Sequence, residues 1–124
     1  MKDFTPVYIP AGVPTFHLES AKAQFEASAE LLRSIDAGFA VPDDMLLSID
    51  ALDAFLGSVQ PDLVVFQNLT FANSAYISAV MRRVNCPILL WTLREPVIDG
   101  GRLRLNSLTG AYSAANAMRA FGGR

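Results

Sequence analysis

Several side chains in this sequence could bind a small polar ligand, because they combine amides, hydroxyls and a guanidinium with aromatic rings. The polar groups can donate and accept hydrogen bonds around an oxygen-rich ligand, and the aromatic rings offer apolar faces. These side chains follow short apolar segments of the kind that forms buried strands. The candidate binding residues are Phe16, Gln67, Thr70, Phe71, Arg94, Asn106 and Ser107.

Each candidate also has an alternative structural role, and both roles stay open at this point. Gln67 can satisfy backbone groups in its loop, and Ser107 or Thr109 can cap the helix that follows. Arg94 can form a solvated pair with Glu95 or contact a neighbouring subunit. The candidates carry more weight together than singly, since all of them lie where predicted strands end.

Residues that could perform catalysis within the chain are few. His17 is the only histidine and Cys86 the only cysteine, so neither an internal disulfide nor a His/Cys metal cluster can form. A helix-surface or capping role is favoured for His17. The glycine patterns of dinucleotide-binding and P-loop proteins are absent, as is the Gly-x-Ser-x-Gly element of hydrolases. The sequence therefore predicts no catalytic and no metal-binding residue in this chain.

Apolar runs alternate with helical periodicities along the chain. Strands are predicted at residues 7–9, 38–41, 63–66, 88–92 and 103–105, and helices at residues 16–35, 48–58, 74–84 and 109–121. This alternation indicates βαβ units, whose right-handed crossovers place helices on both faces of a parallel sheet. We predict one α/β domain over residues 1–124, a flavodoxin-like (Rossmann-like), doubly wound sheet of about five strands, with the candidates at its carboxyl edge.

Composition limits which classes of partner and which cellular compartment we expect for this protein. The 124 residues fit one domain, and a formal net charge of -2 gives no electrostatic reason to expect nucleic acid or an anionic membrane as a partner. The sequence begins without the apolar core of a signal peptide, and no apolar run approaches the roughly 20 residues of a membrane span. We therefore expect a cytoplasmic protein.

Four segments carry a resemblance to a known family. The segments LLWTLREP, GGRLRLNSLTG, IPAGVPTFHLE and FQNLTFANS are similar to the N-terminal domain of the L-fucose/L-arabinose isomerase superfamily, especially its fucose isomerase-like branch. The resemblance implies that this chain is an excised or truncated amino-terminal domain of a longer multidomain enzyme. It also implies that the catalytic carboxylates and a divalent metal, typically Mn²⁺, lie in later domains.

The resemblance further implies a function. The chain would enclose substrate and support oligomerisation in a sugar ketol-isomerase, and it would be inactive alone. Its partners would be the remaining domains, further copies in a homo-oligomer, and a sugar shared across a subunit interface. The seven candidate residues would supply substrate or interface contacts. The alternative is a stand-alone, non-catalytic α/β module that binds a small polar ligand or a protein partner.

Overall fold

The computed structural model describes residues 3–121, and within them the chain forms an α/β arrangement. Its elements are β1 (Pro6–Ala11), α1 (Leu18–Ile35), α2 (Ile49–Leu56), β2 (Leu63–Asn68), α3 (Ser74–Arg83), β3 (Ile88–Thr92) and α4 (Ser107–Ala120). The strands lie in the order β1-β2-β3, and both pairings are parallel. The predicted strands at residues 7–9, 63–66 and 88–92 are therefore confirmed, as is the parallel sheet.

Helices cover both faces of this sheet. Val7 and Ile9 of β1 point to one face, where they pack in a cluster with residues of α2, α3 and α4. Tyr8 points to the opposite face and packs with Phe25 and Ala29 of α1. Successive side chains of a strand alternate between faces, so a strand covered on both sides reads as a continuous apolar run. All six residues of β1 are buried, as this arrangement requires.

The predicted strand at residues 38–41 is reduced to an isolated bridge. Ala40 bridges Val7 in parallel, and a second isolated bridge joins Leu46 to Ala11. The segment thus runs beside β1 but bonds to it at separate points. Pro42 lies between the two bridges and lacks a backbone N–H, which prevents a continuous ladder.

The predicted strand at residues 103–105 does not form either. This segment has no strand beside it, and its backbone N–H groups at Arg104 and Leu105 bind the carboxylate of Glu95 instead. Within residues 3–121 the sheet therefore has three strands, so the five-stranded, flavodoxin-like doubly wound sheet is not confirmed.

Strand β3 forms an edge of the sheet among the described residues. It pairs with β2 on one side only. Leu89 in its middle is 57% exposed, although β3 begins as an apolar segment like the other strands. An edge strand with exposed apolar side chains can pair or pack with another part of a protein. Separately, no helix within residues 3–121 has both the length and the apolar character needed to cross a membrane.

Candidate functional site

Gln67 lies in the interior of the fold. Its side chain is fully buried at the end of β2, where Oε1 accepts a hydrogen bond from the Tyr8 hydroxyl and Nε2 donates one to Ser28 Oγ at 3.0 Å. Burial raises the pKa of the Tyr8 hydroxyl above its usual range, so Tyr8 remains a protonated donor. The amide of Gln67 thus joins β1, β2 and α1 through groups that would otherwise be buried without partners.

Thr70 fixes the loop that follows β1. It is fully buried, and its Oγ1 accepts a hydrogen bond from the Val13 backbone N–H at 2.9 Å. The loop passes so close that a Cβ at Gly12 would lie 3.0 Å from the same oxygen. Phe71, next in sequence, is half-buried, and its N–H donates to the Leu105 carbonyl at 2.8 Å.

Ser107 joins three elements where α4 begins. Its hydroxyl donates to the Asn68 carbonyl at the end of β2 and accepts from the Leu93 N–H at 2.8 Å, just after β3. It also lies 3.1 Å from Thr92 Oγ1. Ser107 is 1% exposed, and the N-cap position of α4 belongs to Asn106, whose side chain makes no capping bond. Its hydroxyl therefore aligns the ends of β2 and β3 with α4.

Asn106 is the residue before α4. Its backbone adopts the left-handed region, with φ of 53°, which asparagine tolerates better than most residues. Its Oδ1 accepts a hydrogen bond from Thr109 Oγ1 at 2.7 Å. Its N–H donates to the Glu95 carboxylate, which also accepts from the N–H groups of Arg104 and Leu105. Glu95 therefore shapes residues 104–106, a role that the sequence analysis did not find.

The aromatic rings at this edge are already partly covered. The Arg102 guanidinium lies 5.1 Å from the centre of the Phe16 ring. Trp91 is half-buried with its ring 6.4 Å from that of Tyr8. His17 caps α1, since its Nδ1 accepts from the Ser20 N–H at 3.2 Å. This is the capping role that the sequence favoured.

An open cavity of about 470 Å³ separates the loop after β1 from the segment after β3. We call it the arginine cavity. Its lining is Thr15, Phe16, His17, Asp99, Gly101, Arg102, Leu103 and Arg104. The two walls are tied by hydrogen bonds from Arg102 Nη2 to the Thr15 carbonyl at 3.1 Å and from the His17 N–H to the Arg104 carbonyl at 3.0 Å.

The seven candidates do not meet in one place. Only Phe16 lines the arginine cavity, whereas Arg94 is exposed beside a separate depression that also includes Gln24 and Pro96. The others lie beneath these surfaces in the contacts described above. The sequence analysis missed Arg102 and Arg104 as site residues. Their alternation with leucines was the available signal, since alternate residues of an extended segment share a side.

Asn68 is the one described residue with buried side-chain polar atoms that lack a hydrogen-bond partner within residues 3–121. It is 1% exposed at the end of β2. A Cβ on Gly110 of α4 would lie 2.9 Å from Asn68 Oδ1 and 3.3 Å from the Ala72 backbone nitrogen. The close approach of α4 to β2 at this point therefore requires glycine.

The described residues do not provide a metal site. Within residues 3–121 no group of three or more His, Cys, Asp or Glu side chains is placed to hold a metal ion. Carboxylate and imidazole ligands are what Mn²⁺ and similar divalent ions require. The described residues hold no such ligand set, and the metal that the resemblance implies for later domains stays a prediction.

Over nearly its whole length, the chain is similar to the amino-terminal part of sugar isomerases. A relative from Clostridium sp. (strain MSTE9), named sulfoquinovose isomerase, is 62% identical over 122 residues, which are 98% of this chain and 27% of the relative. A sulfoquinovose isomerase from Priestia megaterium is 35% identical over 122 residues, 96% of this chain and 27% of the relative. One from Alkalicoccus urumqiensis is 39% identical over 117 residues, 93% of this chain and 26% of the relative.

The chain thus spans about a quarter of the length of the curated relatives it matches. These relatives agree with the expected likeness to the amino-terminal domain of a sugar isomerase. The fucose isomerase-like branch stays a prediction. No protein-family model and no solved structure matches the chain.

Proposed function

We propose that this chain is the amino-terminal domain of a longer sugar ketol-isomerase that acts on sulfoquinovose, a sugar that carries a sulfonate group. The observation that supports this most is the identity of 62% over 122 residues with a relative of that name. The domain's task is to enclose the substrate, while catalytic residues and a divalent metal, with Mn²⁺ expected, lie outside this chain. Fucose and arabinose remain substrates to be tested beside sulfoquinovose.

The geometry supports a binding role without catalysis. The arginine cavity opens at the side of the sheet where β1 and β3 end, and its walls are joined by one backbone hydrogen bond and one bond from the Arg102 side chain. Ligands of parallel α/β sheets bind at this edge. Fixed walls can orient a sugar and exclude water from one side of it, which raises the rate of a reaction whose chemistry is performed by other groups.

The exposed apolar side chains support contacts with further domains or subunits. Leu89 of β3 and Leu108 and Tyr112 of α4 are each more than half exposed, at 57%, 52% and 69%. Surfaces of this kind are covered when they lie in an interface. We propose that the remaining domains or another copy in a homo-oligomer covers them, and that the second half of the substrate site comes from there.

Turnover by the longer protein that contains this chain tests the proposal. With Mn²⁺ present, we expect it to convert sulfoquinovose to the corresponding ketose, followed by nuclear magnetic resonance of the sugar. L-fucose and L-arabinose are the comparison substrates. Turnover of these two alone would refute the sulfoquinovose assignment, and turnover of none would refute the isomerase assignment. Residues 1–124 alone are expected to show no turnover, and saturable sugar binding by them would favour the stand-alone module instead.

A further inference from the structure

We propose that the arginine cavity binds the sulfonate group of the substrate, an inference that rests on the proposed function. The positive charges that would bind the sulfonate belong to Arg102 and Arg104. Neither is among the seven candidates chosen from the sequence, of which only Phe16 lines the cavity. The chain as a whole has a formal net charge of -2. An anionic substrate therefore needs a local positive region such as this one.

The charges that line the cavity favour an anion. Arg102 and Arg104 line the cavity together with one acidic residue, Asp99. The Asp99 carboxylate is engaged locally, because its Oδ1 accepts from the Gly101 N–H at 3.0 Å. His17 adds an imidazole at the same wall, with its Nδ1 facing Ser20. The lining therefore has two guanidinium groups and one carboxylate. The nearby Glu95 carboxylate is engaged by the backbone N–H groups of residues 104–106.

Arg102 is held in place before any ligand arrives. Its guanidinium lies over the Phe16 ring, and one of its N–H groups donates to the Thr15 carbonyl at 3.1 Å. A guanidinium carries five N–H donors in a rigid plane, so this bond leaves other donors for a ligand. The stacking and the hydrogen bond restrict the side chain, which lowers the entropy lost when an anion binds.

Arg104 combines a fixed backbone with an unpaired charge. Its N–H donates to Glu95 at 3.1 Å, and its carbonyl accepts from the His17 N–H at 3.0 Å. Its side chain is half-buried, and no acidic residue in the described part of the chain lies within ion-pair distance of it. A guanidinium that has no acidic partner in the described part of the chain gains most from an oxyanion that accepts two parallel hydrogen bonds.

The chemistry of these groups selects a sugar with an anionic end. A sulfonate offers three acceptor oxygens and one negative charge to the two guanidinium groups. A neutral sugar offers hydroxyls that replace water at a guanidinium without neutralising it. The volume of about 470 Å³ exceeds what one sulfonate fills, so part of the sugar ring is held in the same cavity.

Binding measurements on the longer protein test this assignment. We propose isothermal titration of sulfoquinovose, and of the 6-deoxy sugar quinovose that lacks the sulfonate, into the wild type and into Arg102→Gln and Arg104→Gln. The expected result is a dissociation constant for sulfoquinovose raised about tenfold to a hundredfold in each variant, since each substitution removes hydrogen bonds to a charged group. In Arg104→Gln the affinity for quinovose should change less than twofold. Arg102→Gln also removes the bond to the Thr15 carbonyl, so its loss of affinity for quinovose should be smaller than its loss of affinity for sulfoquinovose. Arg82→Gln, on the exposed side of α3, is the matched control and should leave both affinities unchanged.

The outcomes separate this inference from the proposed function. If the wild type converts sulfoquinovose but the two variants bind it as tightly as the control does, the cavity is not the sulfonate site and the isomerase assignment survives. If the wild type isomerises only neutral sugars, sulfoquinovose is not the substrate, and the sulfonate assignment of the cavity is refuted together with it. Glucose 6-phosphate is the third ligand in the titration. If it binds the wild type as tightly as sulfoquinovose does and loses affinity in the same two variants, the cavity is a site for a sugar phosphate and not for a sulfonate. Circular dichroism of each variant excludes loss of folding as the cause.

Discussion

The two sides of the sheet use polar side chains in opposite ways. Around β1 and β2, the polar groups of Tyr8, Gln67 and Ser28 are buried and bind one another. Beyond β3, Glu95 binds backbone N–H groups, so that Arg102 and Arg104 line an open cavity. In the first region these three polar groups hold the interior together. The second uses one carboxylate to fix a segment whose charged side chains remain available to a ligand.

This difference shows that a residue is not part of a binding site merely because it lies at the end of a strand. Gln67 and Arg104 both lie near the carboxyl edge of the sheet, yet one is fully buried and the other lines a cavity. Whether a polar group is available depends on the partners that tertiary packing gives it. The comparison can be tested by changing residues on each side.

The largest loss of stability is expected from Gln67→Ala. This change leaves the hydroxyls of Tyr8 and Ser28 without their shared partner and opens space in the interior. We expect the free energy of unfolding to fall by roughly 2 to 4 kcal/mol, since each buried polar group left unpaired costs about 1 to 3 kcal/mol. Urea unfolding followed by circular dichroism measures it.

Gln60→Ala, at an exposed position, is the control and should change stability little. In the longer protein, substrate affinity at a temperature where the variant is folded should equal that of the wild type. A weaker affinity with unchanged stability would instead place Gln67 in the binding site, as its position in the sequence suggested.

A smaller loss, coupled to binding, is expected from Glu95→Gln. The amide keeps one acceptor oxygen but removes the charge that holds the N–H groups of residues 104–106. We expect about 1 to 2 kcal/mol of lost stability, because hydrogen bonds to charged groups are worth more than neutral ones. Hydrogen exchange at residues 104–106 should accelerate, and the affinity for a sulfonated sugar should fall with it.

Glu30→Gln on the exposed side of α1 is the matched control. If exchange at residues 104–106 stays as slow in Glu95→Gln as in this control, Glu95 does not fix the cavity wall. The contrast between the two sides of the sheet would then lose its main support.

The smallest effect on stability is expected from Leu89→Lys at the edge strand β3. The side chain is already 57% exposed, so the free energy of unfolding should change by less than about 0.5 kcal/mol. In the longer protein, the new charge should weaken the packing of domains or subunits that we propose for this edge. Size-exclusion chromatography with light scattering measures the change, and Leu31→Lys on α1, where Leu31 is 51% exposed, is the control. Identical assembly of both variants would contradict an interface at β3.

Sequence patterns were sufficient where contacts are local or periodic. The apolar runs that became β1, β2 and β3, and the helical periodicities of α1 and α3, determine both element type and buried face. The pattern failed at residues 103–105, because alternation indicates an extended segment without saying whether a strand lies beside it. The carboxylate that binds this segment belongs to Glu95, about ten residues earlier, and no periodicity relates the two.

The site was harder to predict for the same reason. Ser107 and Thr70 have the chemistry of ligand-binding residues, and only the tertiary structure shows that backbone groups engage their hydroxyls. Arg102 directly precedes the predicted strand at residues 103–105 but was not predicted as part of a site, because its partner Phe16 lies 86 positions earlier in the chain.

The close approach of α4 to β2 constrains how this sequence can evolve. A side chain at position 110 would meet the Asn68 amide at 2.9 Å, so any enlargement there must follow a reduction at position 68. The reverse order passes through an intermediate in which the new Cβ crowds the Asn68 side chain. Once position 68 is small, the backbone nitrogen of Ala72, 3.3 Å from the same point, is still a tight neighbour for a Cβ at position 110. In related sequences we therefore expect substitutions at positions 68 and 110 to be correlated, with the change at position 68 preceding the change at position 110.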